Sequence, residues 1–141
     1  MACFAVPAAE AIIVGTAYLV AKHKEKKIEA PTFTYEAKDG SLVTGKKVKL
    51  STKLSWLLSL LTGGAFLLAY EHVWHGEVVP WFPFLTNAAN PADAQVMLHE
   101  MATVGVLMAV LVTLIWAVML GVCSLIEKRA RASATAKSTQ K

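Results

Sequence analysis

From Met101 to Ile126 the chain carries no charged side chain, and no other feature restricts the fold as much. A helix crosses the hydrocarbon core of a bilayer with roughly 20 apolar residues. Inside a soluble domain the same helix would need protein on every side, and the rest of a 141-residue chain is too small to supply it. Two further stretches qualify. Phe4 to Ala21 is shorter and contains Glu10, and Leu54 to Tyr70 can extend through His75. A composition 55% hydrophobic and 17% charged agrees with a membrane chain.

The expected fold is therefore an all-α membrane protein with three transmembrane helices in a single membrane domain. Helix 1 is expected at about 4–22, a loop at 23–53 and helix 2 at about 54–75. An aromatic loop follows at 76–92, then helix 3 at about 93–127 and a disordered basic tail at 128–141.

Charge orients the spans. Of the fourteen Lys and Arg residues, nine lie between Lys22 and Lys53 and five follow Ile126. None precedes Lys22 or falls between helices 2 and 3. Basic flanks stay on the cytoplasmic side, so the N-terminus is expected outside and the C-terminus inside a bacterial-type cytoplasmic membrane. A cleaved signal peptide fits helix 1 poorly, because its positive charge would precede the apolar stretch. The same flanking pattern accounts for the net charge of +4 without nucleic acid as a partner. Cys3 and Cys123 are expected at opposite membrane faces, beyond disulfide reach.

The inner loop begins with the charged run Lys22–Glu29. Beyond Pro31 the pattern changes to β-favouring residues around Asp39-Gly40, which predicts a small cytoplasmic β-hairpin. The hairpin is expected to serve as a docking site or as a plain connector. In the outer loop Pro80 and Pro83 interrupt any helix. Trp81, Phe82 and Phe84, with Trp74 at the end of helix 2, are expected at the headgroup level. Asn90-Pro91 marks a turn, and Pro91 and Asp93 suit the first turn of helix 3.

Along helix 3, Gly105, Ala109, Thr113, Ala117 and Gly121 recur every four residues. In lipid, close approach over small residues supplies much of the association between helices, so this stripe is expected to pack on another helix of the protomer or of a neighbouring subunit. Ser59 and Gly63 offer a shorter version in helix 2.

Candidate chemistry concentrates at the outer edge. Glu71, His72 and His75 share one arc of helix 2, and His99 and Glu100 open helix 3 at a similar depth. Mixed imidazole and carboxylate donors suit a divalent metal such as zinc, iron or manganese. Paired histidines from two helices would instead suit haem b, in an electron-transfer subunit resembling a b-type cytochrome. The outer half holds Glu10, Glu71, Glu77, Asp93 and Glu100 and no Lys or Arg. That field favours a cation or proton over haem propionates. Ordinary wet interfacial residues are the plain alternative. Glu10 stands about 18 Å from the level of Lys22 by helix rise. An ionisable group at that depth is costly and faces a partner or water, which makes Glu10 a proton or ion candidate.

No nucleophile elbow, phosphate-binding loop or HExxH motif occurs, so nothing assigns an enzymatic activity. The expected role is a non-catalytic subunit of a homo-oligomeric or larger membrane assembly that binds a metal or protons, with a purely structural docking subunit as the further alternative.

Overall fold

The computed structural model describes residues 2–26, 28, 32–36 and 41–138. In chain order the elements are α1 (Ala5–Glu25), β1 (Thr32–Glu36), β2 (Leu42–Lys46) and α2 (Leu50–Trp74). A short 3-10 turn (Thr86–Ala89) leads into α3 (Pro91–Glu100), a π-helical turn (Met101–Gly105) and α4 (Val106–Ser138). Helices predominate, and three of them are long and apolar enough to cross a membrane: Ala5–Glu25, Leu50–Trp74 and the continuous Pro91–Arg129.

Local sequence explains where these helices begin and end. Pro7 sits in the first turn of α1, where a missing N–H costs nothing. At the end of α2, Gly76 takes a left-handed φ of 72°. Its N–H bonds to the Val73 carbonyl at 3.0 Å, and the Glu77 N–H bonds to the His72 carbonyl at 2.9 Å. Two carbonyls that the helix leaves open are thereby satisfied, and a residue with a Cβ would be strained there. At the start of α3 the Asn90 side chain accepts from the Ala92 N–H at 3.2 Å, and Pro91 and Asp93 occupy the first turn.

Helix 3 differs from the expectation in two ways. A π turn interrupts it at Met101–Gly105, and α4 runs on to Ser138 where a disordered tail was expected. Ala130, Ala132, Ala134 and Ala136 alternate through that extension, and alanine is the strongest helix former. Low apolar content argues against a packed core but not against a helix continuing from a stable span. Residues 139–141 lie outside the described residues.

β1 and β2 pair antiparallel, with Thr32 opposite Lys46 and Glu36 opposite Leu42. The expected Asp39-Gly40 turn lies outside the described residues. β1 lies against α4, which gives this two-stranded sheet a support within the chain.

α1 and α2 form an antiparallel pair in contact along its whole length. Phe4 meets His72 edge-on with ring centroids 5.6 Å apart. Midway, a Cβ on Gly15 would stand 3.7 Å from Leu58 Cδ1. At the far end the Glu25 carboxylate accepts from the Leu50 N–H at 2.9 Å and from Ser51 Oγ at 2.5 Å. Leu57, Leu61 and Ala65, spaced by four, form the buried stripe of α2. The third span is far less enclosed: 6% of its most apolar stretch is buried, against 17% in each of the other two.

Candidate functional site

The sequence draws attention to the end of the bundle where α2 stops and α3 begins. Its five candidate donors are arranged unevenly. Glu71 is exposed and lines a shallow hollow with Tyr70 and Trp74. His75, the last residue before the Gly76 turn, is exposed too. His72 alone of the three points inward. Its Nε2 is buried without a hydrogen-bond partner, and Glu71, His75 and Glu100 all lie within electrostatic reach. His99 is exposed, and its carbonyl accepts from Thr103 Oγ1 at 2.8 Å. Glu100 is half-buried immediately before the π turn.

Among the described residues, no three His, Cys, Asp or Glu side chains converge into a metal-holding group. The reason is steric. The start of α1 occupies the space where the donors would meet: Ala2 and Cys3 are buried, and Phe4 packs on His72. The other side of this plug rests on the π turn. A Cβ built on Gly105 would stand 2.9 Å from Val6 Cγ2 and 3.1 Å from the Cys3 carbonyl oxygen. Only a bare backbone permits that approach. α1 thus separates the donors of α2 from those of α3.

The small-residue stripe divides in the same way. Gly105 packs on α1, Ala109 is buried, and Thr113 donates from Oγ1 to Glu10 Oε1 at 2.6 Å. Farther along, Ala117 and Gly121 are exposed, and a Cβ on Gly121 would meet nothing within 4 Å. Gly63 of the shorter α2 motif is equally open. Three of the five residues of the expected packing face therefore serve the protomer, and their partner there is α1.

Glu10, half-buried within the first span, is bonded across helices to Thr113. It borders an open, mostly apolar groove of about 350 Å3 along α4, lined also by Val106, Ala109, Val110, Thr113 and Leu114. The aromatic residues of the loop, and Trp74 at the end of α2, are open at the surface. Trp74, Trp81 and Phe84 are exposed, and Phe82 is 86% exposed. A short bridge between Val78 and Leu85 closes the base of the loop, and the Phe82–Pro83 peptide is cis.

Two contacts lie outside the sequence-derived set. Glu25, read there only as part of a charged run, holds the first N–H groups of α2, where a helix start favours an anion. Trp116 Nε1 donates to the Lys53 carbonyl at 2.8 Å and ties α4 to the first turn of α2. A lone Trp in an apolar span was a signal available beforehand, because a buried indole N–H needs an acceptor. Glu25 gave none, since its partner lies across an intervening hairpin. Compared with known proteins, the chain matches no family model, no curated protein and no solved structure.

Proposed function

We propose that this small multi-pass membrane protein is a non-catalytic subunit of a larger or homo-oligomeric membrane assembly, with its N-terminus outside and its hairpin and C-terminus on the cytoplasmic side. The carrying observation is the surface of the third span. With 6% of its most apolar stretch buried, it contributes little to a core of its own. It also presents two small residues, Ala117 and Gly121, where another helix can approach closely. The exposed aromatics of the loop fit the headgroup level, and the basic residues flank the other end. Size measured after mild solubilisation of native membranes tests this role. A particle well above 15.2 kDa of protein mass is expected, and a monomer contradicts it.

His72 favours a second role alongside the first. Its buried, unbonded Nε2 is suited to a ligand that takes up a ring nitrogen: a divalent zinc, iron or manganese ion, or the iron of haem b. Because fewer than three donors converge within the described residues, a metal site would need completion by a neighbouring subunit. Elemental analysis and an absorption spectrum of the purified assembly test this. Metal or a Soret band that disappears in His72→Ala supports it, and neither in the wild type removes it.

A further inference from the structure

We propose that the groove beside Glu10 seats a transmembrane helix of a partner subunit that presents an Arg or Lys side chain to the Glu10 carboxylate. The inference rests on the assembly role above and specifies the chemistry of one partner. Three observations carry it. First, Thr113 bonds to Oε1 of Glu10, and Oε2 has no hydrogen-bond partner among the described residues. Acids within a membrane span are costly and normally face a partner or a water-filled cavity. Second, the carboxyl lies beside a groove rather than inside the helix pair. The groove is about 350 Å3, floored by buried Ala109 and flanked by Val106, Val110 and Leu114, which are 44%, 49% and 59% exposed. That lining admits an apolar helix and offers it one strong acceptor.

Third, none of the described residues that line the groove is basic. Along α1 the nearest base is Lys22, twelve residues on, or about 18 Å by helix rise. Along α4 from Thr113 it is Lys128, fifteen residues on, or about 22 Å. His72 is turned toward Phe4. A second copy in the same membrane orientation repeats this distribution of charge with depth, so it brings Glu10 no Lys or Arg either. Charge complementarity therefore selects a different chain, with its basic residue inside the span.

The test uses the full chain, donor-labelled, in phosphatidylcholine vesicles. The probes are acceptor-labelled Leu/Ala transmembrane peptides carrying one Arg at the depth of Glu10, or Gln at the same position. Energy transfer should report about tenfold tighter association of the Arg peptide. Glu10→Gln keeps an oxygen for Thr113 and should abolish that preference. Ala109→Leu, which fills the groove floor, should weaken both peptides. Unchanged helical circular dichroism in each variant verifies folding. Equal binding of the two peptides to the wild type overturns the inference, as does an Arg preference that survives Glu10→Gln. Self-association that depends on Glu10 without peptide preference also overturns it, because the occupant is then a second copy. None of these results alters the particle size in native membranes, so the assembly role stands or falls separately.

Discussion

The α1–α2 pair and the third span are both apolar helices in one small chain, yet they are held in different ways. α1 and α2 meet at both ends and in the middle, through Phe4 and His72, Gly15 and Leu58, and Glu25 and Ser51. The third span is fixed by a few side-chain contacts: Gly105 against Cys3 and Val6, Thr113 to Glu10, and Trp116 to the Lys53 carbonyl. In lipid, burial of apolar area does not by itself bring helices together, so close backbone approach and hydrogen bonds set the geometry. A helix with few such contacts keeps most of its surface for other partners. The contrast separates the part of the chain that forms the fold from the part left uncovered, on which the proposed assembly would draw.

The largest effect should come from closing the point of closest approach. Gly105→Leu places atoms where Val6 and the Cys3 carbonyl already stand, and overpacking of this kind costs about 1–3 kcal/mol. Denaturation in detergent should show that loss, and cross-linking between α1 and α4 should fall while α1–α2 cross-linking persists. A wild-type unfolding midpoint would show that the π turn does not hold α1. Next in size is Trp116→Phe. It retains the ring but removes the donor to Lys53, at about 1 kcal/mol. The same denaturation series measures it, and an unchanged midpoint would mean that the bond contributes nothing to seating α4.

Gly76→Ala should cost about 1 kcal/mol or somewhat less, because the left-handed turn then carries a Cβ. Faster amide exchange should be confined to the end of α2, at Val73 to Glu77. Protection equal to wild type there would contradict the turn. Smallest for the protomer is Gly121→Leu. With open space around it, the change should alter stability by less than about 0.5 kcal/mol. It should nevertheless reduce the size of the assembly in native membranes. An assembly of unchanged size would assign Ala117 and Gly121 to lipid.

The three spans are legible in the sequence because crossing a membrane demands length and low charge, both readable one segment at a time. The start of α3 is legible for the same reason: Asn90, Pro91 and Asp93 act within a single turn. What depends on other elements is not. The spacing of Gly105, Ala109 and Thr113 identifies a packing face but not its partner, and nothing in it separates these three from Ala117 and Gly121. Glu71, His72, His75, His99 and Glu100 share a depth by sequence arithmetic. Whether they meet depends on the start of α1, which fills the space between their helices. Glu10 was conspicuous as a lone acid in an apolar stretch, whereas its bond to Thr113 spans most of the chain. The helical extension to Ser138 shows the limit of composition, since a basic, polar, Ala-rich segment suits a helix as well as a tail.

The central claim is that the chain crosses the membrane three times, with the aromatic loop and the β-hairpin on opposite sides. Single cysteines at two exposed positions test it, Ala88→Cys in the loop and Thr44→Cys on β2, in a chain whose native Cys3 and Cys123 are replaced by Ser. A membrane-impermeant maleimide added to sealed cells should label Ala88→Cys at once and Thr44→Cys only after permeabilisation. Labelling of both positions in intact cells would contradict the three-span account.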